Sequence, residues 1–157
     1  MYSISPNIVV GGYYGQDLWE GNTSTTYGIE AKITPGFLDG RMTFEGLVGV
    51  YQNEGGPENP MIGLGANYAV TDSIDVGVSY LRGAWDDLSD PNDQYDVLEL
   101  EATYAFANGL YATVSYTDTI YSGSDGQDTT FGIAVGYNFG GGVTFERRGY
   151  SALYPGD

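Results

Sequence analysis

Apolar and polar residues alternate one by one over most of the chain, in short runs broken by turn residues. Ile62, Leu64, Ala66, Tyr68 and Val70 alternate with Gly63, Gly65, Asn67 and Ala69; beyond 70–73, Ile74, Val76, Val78 and Tyr80 alternate with Asp75, Gly77 and Ser79. A period of two, with one bulky apolar face and one small or polar face, marks half-buried antiparallel strands. The same pattern predicts strands over 4–14, 25–34, 41–51, 95–106, 110–117 and 129–139, which with the pair just described makes eight. Pro6 cannot donate to a ladder, so pairing begins after it or tolerates a bulge there. Asn108-Gly109 is the strongest hairpin signal, because both residues accept the positive φ of a tight primed turn. Tight turns are expected near 35–40, 71–73 and 107–109, alternating strictly with longer polar connections at 15–24, 52–60, 83–93 and 122–128.

The alternation of long and short connections gives the strands a direction, as in membrane barrels with short turns on one side and long loops on the other. The face opposite the bulky residues is made of Gly, Ala, Ser, Thr and Asn with isolated charges, which suits a crowded interior better than a solvated exterior. Aromatic residues sort by height. Tyr68, Tyr104, Phe106, Tyr137 and Phe139 fall at the tight-turn end, and Tyr14, Tyr27, Tyr80, Tyr116 and Phe131 fall at the loop end. Two aromatic girdles around an aliphatic band are what the two interfaces of a bilayer select. The expected fold is therefore all-β: an eight-stranded antiparallel up-and-down transmembrane barrel, residues 1–139, with a C-terminal extension, 140–157.

Composition narrows the functional classes. A net charge of −16 repels nucleic acid. The chain has no cysteine, hence no disulfide and no thiolate chemistry, and no histidine, the commonest general base and transition-metal ligand. No apolar run is long enough for a transmembrane helix. Met1-Tyr2-Ser3 offers neither a basic nor an apolar leader region, so the sequence reads as a mature form without a signal peptide.

Thr130-Phe131-Gly132-Ile133-Ala134-Val135-Gly136-Tyr137-Asn138-Phe139 is similar to the last-strand signal of bacterial outer-membrane barrels: a polar residue, glycine two on, then alternating apolar residues to a final aromatic. In style, residues 4–139 resemble a small outer-membrane β-barrel of the porin-like superfamily. That resemblance implies insertion into the outer membrane of a Gram-negative bacterium by the assembly machinery that reads this strand. The departure is that Gly140–Asp157 follows Phe139.

The candidate chemistry is acidic. Glu30, Glu45, Asp75, Glu99 and Glu101, with Lys32, fall on the small-residue face and are the expected lumen charges. One reading is an acidic lumen that admits cations; the other is a plugged core in which the carboxylates pair with Lys32, Arg41 or the arginines of the extension. Unpaired charges inside are costly unless hydrated or bound to cations, and eight strands leave room only for side chains. Asp86, Asp87, Asp90 and Asp93, with Asp96 beyond them, form a candidate loop cation site, since Ca²⁺ prefers oxygen ligands. The loop does not have the twelve-residue calcium spacing, however, and exposed acidic loops are usually only solvated. Trp19 and Trp85 stand beside these loops as candidate anchors.

The expected function is passive diffusion of small solutes or cations through a narrow acidic lumen, with no cofactor and no enzymatic activity. The rival readings are a non-conducting structural or interaction barrel and a soluble eight-stranded ligand-binding barrel. The expected partners are the bilayer and its outer-membrane lipids, with self-association through the extension as a further option. In that extension Val143 and Phe145 alternate with Thr144 and Glu146, but Arg147-Arg148 breaks the apolar face. A lipid-facing arginine at midplane costs about 2–4 kcal/mol. Residues 143–157 are therefore not expected to form a full transmembrane strand.

Overall fold

The computed structural model describes residues 2–19, 22–84, 94–107, 109–123 and 126–137. Among these residues nine strands form one antiparallel sheet in which every strand pairs with its neighbours in sequence. They are β1 (Tyr2–Ser5), β2 (Ile8–Trp19), β3 (Asn22–Ile33), β4 (Met42–Asn53), β5 (Glu58–Ala69), β6 (Ile74–Ala84), β7 (Gln94–Ala105), β8 (Leu110–Tyr121) and β9 (Gln127–Tyr137). Among the described residues the sheet is not closed: β1 and β9 are its two edges.

The expected count of eight is therefore corrected to nine. The predicted strand 4–14 is a hairpin, with β1 folding back on β2 through a turn at Pro6-Asn7 and a register shift between Ser3 and Ser5. Proline's missing N–H and fixed φ suit a turn and not the interior of a ladder.

The strict alternation of long and short connections is corrected as well. The predicted loop 15–24 is mostly strand, because β2 runs on to Trp19 and β3 begins at Asn22. Meanwhile the turn between β3 and β4 spans 34–41 and holds a 3-10 turn, Gly36–Leu38, with Asp39 and Gly40 at positive φ. Ladder hydrogen bonds are made by backbone, so the polar, β-branched run Asn22-Thr23-Ser24-Thr25-Thr26 keeps pairing after the apolar alternation has stopped. The other two tight turns are as expected. Val70 N–H donates to the Ile74 carbonyl at 2.9 Å, Phe106 N–H to that of Leu110 at 2.7 Å, and Gly109 has φ 86°.

Directly paired residues share a face, so the registers sort the side chains. One row runs Ile8, Ile33, Phe44, Ala66, Val78, Leu100, Tyr116 and Phe131. At β2 that row lies at the tight-turn end, whereas at β8 it lies six residues above it, since β8 begins at Leu110. A stagger close to one residue per strand is the shear that a barrel requires. The face carrying this row is apolar and exposed, with Leu64 63% accessible. Its aromatic rings touch in pairs, Tyr104 with Phe106 at 4.7 Å and Tyr116 with Phe131 at 5.1 Å.

The opposite face holds nearly all the buried side chains: Leu47, Met61, Leu81, Tyr95 and Val97 form one cluster, and Thr26, Asn59, Glu99 and Thr113 are buried beside or below it. A flat single sheet leaves both faces wet, so burial on one face means that the sheet curls around it. No helix among the described residues is long and apolar enough to cross a membrane.

Candidate functional site: the polar face of the sheet

Every second residue of each long strand points to the face around which the sheet curls. The structure places all six predicted lumen charges there. Lys32, Glu45 and Glu99 share one row, in which Gly65 and Ser79 lie between the two acids. Glu101 lies one step toward the tight turns, opposite Gly77, and Asp75 stands below Gly77 on β6, opposite Thr103. Glu30 lies one step the other way, beside Leu47, and one of its carboxylate oxygens is enclosed without a hydrogen-bond partner.

Three of these carboxylates border one depression. Glu45, Glu99 and Glu101 line a shallow open depression with Asn67, Ser79 and the backbones of Gly65 and Gly77. The glycines open the wall here: a Cβ added at Gly77 would run into the side chains of Asn67 and Glu101. Glu99 is only 4% accessible. Asp75 and Glu30 are not part of this depression.

Positive charge on this face is scarce. Lys32 Nζ is 3.7 Å from Glu45 Oε1, an open pair whose side chains are 39% and 20% accessible. Arg41 pairs with Asp72 at the tight-turn end, and Arg82 lies on the apolar face. Among the described residues Lys32 is thus the one base on the polar face, against five predicted acids and Asp128. Asp128 was missed in the sequence; it extends the alternation of β9 two residues above Thr130 and accepts from the Tyr121 hydroxyl at 3.1 Å.

The loop-side half of the same face is built differently. Tyr13 lies opposite Gly28, Tyr95 opposite Gly83, and Tyr111, nearer the tight turns, opposite Gly136. At each of these glycines an added Cβ would strike the ring or hydroxyl of the tyrosine. Laying an aromatic ring over a cross-strand glycine covers the bare backbone and pins register. Tyr51 donates to Ser24 Oγ at 3.1 Å and, with Tyr121, packs on the buried apolar cluster. Assigning tyrosine mainly to the bilayer boundary therefore missed the inward share of it.

Asp96, read as part of an acidic loop, lies inside β7 on the apolar face. Arg82, its direct cross-strand partner, holds it with two bonds, Nε to Oδ1 at 2.8 Å and Nη2 to Oδ2 at 3.1 Å, and the Tyr80 hydroxyl donates to it as well. Such a fork-to-fork pair offsets both charges at the loop-side margin of the apolar band. The pairing of 74–84 with 94–105 was its sequence signal.

Asp86, Asp87, Asp90, Asp93 and Trp85 lie outside the described residues, as does the extension, and Trp19 ends β2. Among the described residues no group of three or more acidic side chains is placed to hold a metal ion.

An up-and-down antiparallel sheet that is apolar on its exposed face and polar on its covered face defines an outer-membrane β-barrel protein. The family profile described as Gram-negative porin matches residues 1–148, and the chain belongs to that family. It is thus a porin-like protein embedded in the lipid of the outer membrane. No curated protein and no solved structure matches it.

Proposed function

We propose that the protein is a passive channel for small solutes that favours cations, with residues 1–139 as its wall and 140–157 as an appended segment. The observation that carries this reading is the row of carboxylates on the polar face, Glu45, Glu99 and Glu101 around one depression, with Lys32 opposing only the first of them. A channel of this kind performs no covalent step. Fixed carboxylates in a low-dielectric wall raise the local concentration of cations and replace part of the water an ion leaves behind. Glycine at 77 leaves its space on the wall to the side chains of Asn67 and Glu101. The narrowness expected from eight strands does not carry over to a sheet of nine, because lumen width grows with strand number.

Planar-bilayer recording under a salt gradient tests the proposal. Stable steps with a reversal potential of cation sign are expected, and Glu45→Gln/Glu99→Gln/Glu101→Gln should move that potential toward zero. A folded but electrically silent protein would give the case to the non-conducting barrel. Steps with unchanged selectivity in the triple variant would remove these carboxylates from the mechanism.

A further inference from the structure

We propose that the barrier to permeation is the apolar layer just above the carboxylates, Leu47, Leu81 and Val97 with Met61 one row further, and that the acids form a vestibule below it, toward the tight turns. This rests on the channel reading and adds the level at which that channel is narrowest. The starting observation is a gradient of accessibility along the polar face. On β6 the face runs from exposed Asp75 through half-buried Gly77 and Ser79 to buried Leu81 and Gly83. On β7 it runs from exposed Ala105 through half-buried Thr103 and Glu101 to buried Glu99, Val97 and Tyr95. On β5 Ala69, Asn67 and Gly65 are half-buried, and Gly63, Met61 and Asn59 are buried. On the same strands the lipid-facing Ile62, Leu64, Tyr80, Leu98 and Leu100 stay exposed, so the gradient belongs to the inside.

The change falls at one level. Gly65 and Ser79 pair in a half-buried row, and Glu99 ends that row already buried. The next row toward the loops, Leu47, Gly63, Leu81 and Val97, is buried throughout. Its three side chains and Met61 are 2–4% accessible. A wall lined by one layer of side chains keeps the outer side of that layer wet, so burial this complete requires other groups lying over it. Tyr51 and Tyr121, carried by β4 and β8 on the two flanks of the cluster, pack against it.

An ion rising from the carboxylates therefore meets a dry layer. Leu47, Met61, Leu81 and Val97 replace none of the water it would have to leave, and an unpaired charge in apolar surroundings is costly. Apolar constrictions of this kind stop ions by dewetting. Below them the carboxylates border an open depression, and Lys32 and Glu45 keep part of their side chains in water. Glu45 and Leu47, Ser79 and Leu81, and Glu99 and Val97 are each two residues apart on one strand. Charge is selected on the lower member of each pair and passage is limited on the upper one.

A change of polarity at nearly constant size tests this. Leu47→Asn/Leu81→Asn, shown to be folded by its heat-modifiable migration, should conduct several-fold more than the parent in planar bilayers, because water can then fill the layer. Unchanged steps, in a protein whose selectivity still falls with Glu45→Gln/Glu99→Gln/Glu101→Gln, would overturn the barrier and leave the channel standing. A silent parent beside a conducting double variant would bear the barrier out and refute passive conduction by the unaltered protein. Silence of both would overturn the barrier.

Thiol labelling reads the same layer without current, since the chain has no native cysteine. Ser79→Cys and Val97→Cys are both small changes, one on either side of the boundary. In detergent, a water-soluble cationic methanethiosulfonate should modify Ser79→Cys faster than Val97→Cys, on the order of tenfold, because a thiol buried in apolar surroundings is inert. Equal rates would show water at both levels and overturn the proposal.

Discussion

The two halves of the polar face use the same alternation to opposite ends. In the loop-side half, Leu47, Met61, Leu81, Tyr95 and Val97 close over one another, and glycine on the facing strand receives the tyrosine ring. In the turn-side half the same positions carry Lys32, Glu45, Asp75, Glu99 and Glu101, and Gly77 among them leaves its space to the side chains of Asn67 and Glu101. Glycine thus has two roles on one wall, as a seat for a ring above and as clearance for carboxylates below. The packed half sets the curl of the sheet, while in the charged half Lys32 and Glu45 keep part of their side chains in water. Stability should therefore reside above and charge sensitivity below.

The largest effect should come from Gly83→Val, which drives a side chain into the Tyr95 ring. Overpacking of this kind costs about 1–3 kcal/mol, read as a lower urea midpoint in detergent. Gly136→Val, facing Tyr111 on the exposed edge strand, should cost less; equal losses would erase the distinction between packed wall and edge. Thr113→Val comes next. Thr113 is 2% accessible and its hydroxyl lies 2.8 Å from that of Thr103, so the loss should be about 1 kcal/mol, and a silent variant would show the hydroxyl pair to be idle.

Arg82→Ala removes a forked but open pair, worth about 1 kcal/mol or less, and salt should shrink the difference between variant and parent. The smallest change in stability belongs to Lys32→Ala, below about 0.5 kcal/mol for so open a pair. Its reversal potential should nonetheless shift further toward cations, since the one base described on the polar face is gone. A large loss of stability in that variant would make the turn-side half structural as well.

Much of this wall was legible as period two, because which face a residue takes depends only on counting along a strand. The β1–β2 hairpin was hidden by the same rule: counted along the chain, Ile4, Ile8 and Val10 keep one phase, so the alternation passes through Pro6-Asn7 without a break. Strand ends were hidden because pairing is a backbone property and outruns the apolar band at Asn22–Thr26. The union of Glu45, Glu99 and Glu101 could not be read locally, since it depends on the register across four strands. The Tyr95–Gly83 contact is of the same kind, a relation between two strands that neither strand's own pattern announces.

The stagger of the strands bears on what a permeating ion meets. Measured from the tight-turn end of its own strand, Asp75 stands one residue up, Glu45 three, Glu101 four and Glu99 six. At a rise of about 3.3 Å per residue, and with strands tilted as in a barrel, consecutive carboxylates lie a few ångströms apart in depth. Residues that share a row across the sheet thus occupy different heights along the axis. In the proposed channel the acids form a spiral stair, not a ring, and a cation is handed from one step to the next without ever being held by all of them at once.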